Sequence, residues 1–322
     1  MIVPTLSGAA GDVGRSFYYD KGNINVGEFA ALATALFWAL SSVFFTQAGK
    51  LVGSMTVNRI RLVFAVLMVL LAHWLVQGSP FPMDAGWERW FWLGLSGFVG
   101  LVLGDSLLFQ AYVLVGNRLG TLLLSFAPVF GALIAWIFLG EMLSLGQIGG
   151  IVLTVSGIAV VVLEKRNGGE TVHDLRRYLL GILCGLGGAL GQAGGLVLAK
   201  KGLAGDFPAL SAVAIRMLTS MIVIWILAIA QGQVRKTLAT ARNLPAMRSI
   251  VLGSFVGPFI GVWLSLVAVQ ATFVGIASTL NSLTPIFVLP IAKWGFKERV
   301  TLQAVIGTVI ALAGVSLIFL IE

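Results

Sequence analysis

Charge is scarce in this chain. Of its 322 residues only 11% are Asp, Glu, Lys or Arg, while 58% are hydrophobic, and mean hydropathy is +0.99. A soluble globule is about a quarter charged, so the shortage excludes an ordinary water-soluble fold and points to lipid. Cysteine is almost missing. Cys184 stands alone, which rules out an intramolecular disulfide and a cysteine metal cluster. The two histidines, His73 and His173, form no His-Glu-x-x-His pair for zinc, and no glycine loop leads into Lys-Ser or Lys-Thr. Direct use of ATP is therefore not expected, nor is a cofactor, a metal or an enzymatic activity. The first 26 residues hold no sustained apolar run, so they read as a polar tail rather than a cleavable signal.

Long apolar runs are what the chain does have. A hydrocarbon core needs about 20 apolar residues to cross, and ten runs of that kind are present. They lie near 27–48, 54–76, 90–114, 118–139, 144–163, 179–199, 207–230, 248–271, 275–296 and 300–321. The polar stretch EKRNGGETVHDLRR interrupts them near the centre. The expected organisation is a tail over 1–26, a five-helix repeat over 27–163, a linker over 164–178 and a second five-helix repeat over 179–322. The net charge of +8 sits in the short breaks between apolar runs, where topology signals are found. No nucleic-acid partner is expected.

The two halves echo each other. At an offset of 157, residues 95–163 align with 252–320 without a gap, and 19 of the 69 positions are identical. The matches include Gly100/Gly257, Gly104/Gly261, Ser125/Ser282, Pro128/Pro285, Glu141/Glu298, Gly150/Gly307 and Gly157/Gly314. Shared hydrophobicity alone does not place glycine, proline and glutamate in register. Weaker echoes pair Arg61 with Arg216 and Lys50 with Lys200. Five spans per copy is an odd number, so the second copy enters the membrane from the opposite side. The fold class expected is an all-α integral membrane protein, with ten transmembrane helices as two inverted five-helix repeats. Such repeats permit alternating access.

Pro128 and Pro285 each remove a backbone donor and free the carbonyl four residues earlier. Pro290 adds a second break in the ninth span. Irregular backbone at membrane depth lies against protein or a watery cavity, so these prolines are expected to kink their helices beside a cavity. Glu141 and Glu298 end spans 4 and 9, where they suit a structural role, accepting hydrogen bonds from the amides that open the next helix.

Pro128, then Leu139-Gly140-Glu141, then Gln147 with Gly149-Gly150 and Gly157, resembles the EamA-type members of the drug/metabolite transporter superfamily. The second copy, with Pro285, Lys297-Glu298, Gln303, Gly307 and Gly314, is similar, its Gly-Glu changed to Lys-Glu. The resemblance runs from about residue 27 almost to the end. It implies a ten-helix carrier with a central cavity between its repeats, moving small metabolites, often amino acids, outward. The location expected is the plasma (inner) membrane of a prokaryote.

Asp105 is the only acid deep within a predicted span, and its repeat partner is Val262. An intramembrane carboxylate faces a cavity or a cation. Asp105 is thus a candidate for substrate contact and for proton coupling, or else the partner of an arginine such as Arg61. Gln47, Gln110, Tyr112, Gln192, Asn281 and Ser282 offer neutral polar groups for a cavity wall. Trp38 and Trp263 are mid-span candidates, whereas Trp87, Trp90, Trp136 and Trp294 fit interfacial belts. So few buried charges suit a small, partly apolar molecule such as an amino acid. A multidrug efflux carrier and a passive channel are the alternative readings. Thirteen basic residues fall on one predicted side against five on the other. That bias sets both termini outside the cytoplasm, while the resemblance implies cytoplasmic termini; both termini share one side.

Overall fold

The computed structural model describes residues 24–139, 144–167, 175–203, 207–271, 280–295 and 300–320. These residues form helices and turns, with no strand among them. In order they are α1 (Ile24–Val52), α2 (Ser54–Gln77), α3 (Trp87–Gly97), α4 (Asp105–Leu124), α5 (Ala127–Leu139), α6 (Leu145–Asn167), α7 (Leu175–Gly202) and α8 (Ala209–Ala230). Then come the short α9 (Val234–Ala239), α10 (Leu244–Ser254), α11 (Val262–Ala271), α12 (Thr284–Gly295) and α13 (Leu302–Leu320). Among the described residues, seven helical stretches are long and apolar enough to cross a membrane. Leu75, Leu145, Leu183 and Ile229 stand exposed on the outside of the bundle. Apolar surface on that scale marks a lipid-facing protein. The chain is an integral membrane protein.

Two π-helical turns, Phe98–Gly104 and Phe255–Gly261, join α3 to α4 and α10 to α11. Helix from Trp87 to Leu124 then runs for 38 residues, which at 1.5 Å each would span about 57 Å, far beyond a hydrocarbon core of about 30 Å. Gly116 resolves the excess. Its φ of 84° and ψ of 161° break α4, a conformation that favours glycine. A second break follows at Ser125 and Phe126, whose amides bond to the carbonyls of Leu122 and Leu123 at 3.0 and 3.1 Å. Pro128 is therefore the second residue of α5 rather than the centre of a helix. Proline is at home there, because first-turn amides have no helical acceptor. Pro285 likewise is the second residue of α12, with Pro290 inside that helix.

The internal repeat is visible in backbone register. α3, α4, α5 and α6 begin at 87, 105, 127 and 145; α10, α11, α12 and α13 begin at 244, 262, 284 and 302. Each pair differs by 157, as do the two π turns. Helix starts are also capped alike. Ser144 Oγ accepts from the Gln147 amide at 3.2 Å and Gln147 Oε1 from the Ser144 amide at 3.0 Å, closing a capping box on α6. Thr301, the position equivalent to Ser144, accepts from the Ala304 amide at 3.2 Å. Glu141 and Glu298 lie outside the described residues.

Glycine decides how the halves meet. A Cβ on Gly157 would stand 2.6 Å from the Gly307 carbonyl, and one on Gly150 would stand 2.7 Å from that of Gly314. α6 and α13 therefore cross in opposite directions, with Gly150 facing Gly314 and Gly157 facing Gly307. Gly150 thus faces the equivalent of Gly157, and Gly157 the equivalent of Gly150, so the contact is reciprocal. The first helix of each half packs on the other half: α7 lies against α3 and α4, and α1 against α10 and α11. Gly191 and Gly195 approach so closely that an added Cβ would stand 2.6 and 2.9 Å from Cα of Gly104 and Gly100. Small residues of this kind let membrane helices touch along their backbones.

Candidate functional site

A cavity of about 430 Å³ opens between the two halves, lined from α1, α2, α4, α7, α8, the second π turn and the Ser125 and Ser282 breaks. Its volume suits a small molecule. The proline-led breaks reach it as the chain requires, since Ser125, Pro128, Ser282 and Pro285 are all on its wall. The turning backbone of both breaks thus borders a cavity instead of lipid.

Its charged floor is built from α2 and α4. Asp105 is buried and forms an ion pair with Arg61 Nη2. It also accepts from Gln192 Nε2 of α7. Arg61 is held further by Asn58, whose Oδ1 accepts from its Nη2 at 3.0 Å. The rings of Phe109 and Phe45 lie 5.0 and 5.6 Å from the guanidinium, within cation–π range. Asn58 in turn donates to the Leu101 carbonyl at 2.9 Å and to Ser106 Oγ at 3.0 Å. Gln192 donates to the Gly100 carbonyl at 3.3 Å. The first π turn releases carbonyls from the ordinary ladder, and these two side chains take two carbonyls from that turn. One network therefore fixes the arginine, the acid and the irregular backbone together. Buried polar groups in so dry a setting demand this degree of satisfaction.

Trp38, Asp105, Tyr112, Gln192, Asn281 and Ser282 all reach the cavity. Gln47 is on the exposed face of α1. Gln110 points aside and accepts from Ser54 Oγ at 2.5 Å. Trp263 is 48% exposed and lines a neighbouring groove of about 250 Å³ with Phe259 and Val76. These three are not brought to the wall. Ser41, Phe45, Phe109, Arg216 and Pro258 complete it. Helical phase would have revealed the first three. Steps of three, four or seven residues return a side chain to the same helix face; Ser41 is three and Phe45 seven from Trp38, and Phe109 is four from Asp105. Nine residues end about 180° away, which is where Gln47 falls. Among the described residues no group of three or more His, Cys, Asp or Glu is placed to hold a metal ion.

A helical membrane bundle with a duplicated backbone and a charged interior cavity defines the class of small-molecule membrane transporters. The profile of the EamA-like transporter family matches residues 25–163 and again 179–320, and the chain belongs to that family. No curated protein matches the sequence. A solved crystal structure is similar over 91% of this chain and 96% of its own, with a TM-score of 0.63 and 15% identity. At that identity the likeness speaks for the fold alone.

Proposed function

We propose that this protein is a secondary active exporter of small metabolites, such as amino acids or related amphipathic compounds, in the plasma (inner) membrane of a prokaryote. It works by alternating access between two inverted five-helix repeats of ten spans in all. The repeats occupy 27–163 and 179–322, joined by the linker 164–178, with 1–26 as a polar tail. The observation that carries this reading is the reciprocal antiparallel crossing of α6 and α13 at Gly150, Gly157, Gly307 and Gly314. Two equivalent helices running in opposite directions relate the halves by a two-fold axis, and the cavity lies between those halves. Each half is then able to adopt the arrangement of the other, exchanging the open side. Read as ten spans, the break at Gly116 separates the third from the fourth.

Protons are the proposed coupling ion and Asp105 their carrier. Protonation of Asp105 would cancel its attraction for Arg61, a change of charge at a buried pair, where such changes act strongly. In proteoliposomes the Asp105→Asn variant is expected to lose accumulation driven by a pH gradient while keeping substrate-for-substrate exchange. Unchanged uphill transport would reduce Asp105 to a structural partner of Arg61. The decisive substrate screen is growth of an overexpressing strain on toxic amino-acid analogues. Resistance to none of them, with altered sensitivity to cationic dyes, would instead identify a multidrug efflux carrier. Flux that dissipates gradients without counterflow would identify a channel.

A further inference from the structure

Arg216 is a cavity arginine without the company that Arg61 keeps. α2 and α8 begin at Ser54 and Ala209, an offset of 155 that carries Arg61 onto Arg216 and Asn58 onto Val213. The offset of 157 carries Asp105 onto Val262. The second half has kept the arginine and put valine in place of both oxygen-bearing partners. Val213, Arg216 and Val262 all line the cavity. Nε of Arg216 is buried, and no group among the described residues accepts from it. A second polar atom on the same wall, Oδ1 of Asn281, is also buried with no donor among the described residues. One orphan donor and one orphan acceptor therefore share a cavity.

Resting on the transporter reading above, we propose that Arg216 anchors a carboxylate of the transported molecule, while Asn281 accepts from an N–H or O–H beside that carboxylate. A guanidinium fork matches a carboxylate with two parallel hydrogen bonds. The charge balance agrees. Arg61 and Arg216 against Asp105 leave one positive charge on the wall, which a single carboxylate neutralises. A cationic ligand gains no such partner, because Asp105 is already engaged by Arg61 and Gln192. The missing acid at position 262 is thus supplied by the substrate on each cycle. The apolar remainder of the molecule meets Trp38, Phe109 and Met217.

The test uses full-length protein in lipid nanodiscs, with calorimetric binding of 4-methylpentanoate, L-leucine and L-leucinamide. Both carboxylates should bind at least tenfold more tightly than the amide. Arg216→Gln should cost the carboxylates at least tenfold and leave the amide unaffected. Val262→Asp keeps the guanidinium but gives it the partner that Arg61 already has, and should do the same. Asn281→Leu should weaken L-leucine, which carries an ammonium donor, and spare 4-methylpentanoate. Equal affinity for amide and carboxylate, full carboxylate binding in both the Arg216→Gln and Val262→Asp proteins, or no binding by either carboxylate overturns the proposal. Counterflow in liposomes separates the two readings. Carboxylate binding without flux sinks the transporter and leaves the anchor; flux without carboxylate preference does the reverse.

Discussion

The two halves share a backbone and differ in what they do with it. In the first, the π turn Phe98–Gly104 lies against Gly191 and Gly195 of α7; in the second, Phe255–Gly261 lies against Trp38 and Ser41 of α1. Ser96 Oγ donates to the Gly195 carbonyl at 2.5 Å, whereas at the matching crossing Ser41 Oγ donates to the Gly253 carbonyl at 2.9 Å. The serine has changed helix and the hydrogen bond has survived. The arginine behaves otherwise: Arg61 has Asn58 and Asp105, and Arg216 has Val213 and Val262 in their places. Packing contacts are thus kept or exchanged like for like, while the arginine–carboxylate pair of the cavity wall lies within the first half. In the proposed cycle, alternating access draws on the symmetric part and recognition of an asymmetric molecule on the rest.

The largest effect should come from breaking that asymmetry on its charged side. Asp105→Leu leaves Arg61 buried without its carboxylate, a loss of about 3–5 kcal/mol, read as a lower melting temperature in detergent. Val262→Leu, its counterpart in the second half, should cost less than about 1.5 kcal/mol. Arg61→Met added to Asp105→Leu should recover most of the loss, because a well-packed apolar pair can replace a buried ion pair. Failure of the double variant to recover would mean that the network, not the pair, holds the fold. A smaller effect is expected on the symmetric side. Gly157→Ala drives a Cβ into the Gly307 carbonyl and, at 2.8 Å, Ala311 Cα, costing about 1–3 kcal/mol; Gly314→Ala across the same axis should match it. Unequal losses would show that the crossing is not two-fold in energy. Asn58→Val makes the first half resemble the second and strands the Leu101 carbonyl, at the lower end of about 1–3 kcal/mol. Smallest of all is Gly149→Ala, which meets nothing within 4 Å and should stay within about 0.5 kcal/mol.

Much of the scaffold could be read from residue register. The offset of 157 in glycine, serine and proline anticipated the helix starts, because those residues mark where backbone bends or touches. Asp105 stood out by its rarity, with Arg61 named as its possible partner. The π turns were not legible. Asn58 and Gln192 arrive from other helices to bond carbonyls of the first turn, a pairing that no spacing within the span announces. Gln47, Gln110 and Trp263 were singled out for polarity or depth without regard to which face they occupy. The meaning of Arg216 emerged only when its neighbours were placed, since an arginine near a span end has a ready alternative in snorkelling.

The crossing of α6 and α13 bears on the history of the chain. A surface on which Gly150 meets the copy of Gly157, and Gly157 the copy of Gly150, is self-complementary. That is the property of an isologous dimer interface. A single copy of the repeat carrying both glycines would already possess each side of this contact and would pair with itself in opposite orientation. Tandem fusion of its gene would inherit a working interface and require only a tether. Afterwards each copy is free to drift alone, so that one ancestral arginine position becomes an internal ion pair in one half and the proposed carboxylate anchor in the other.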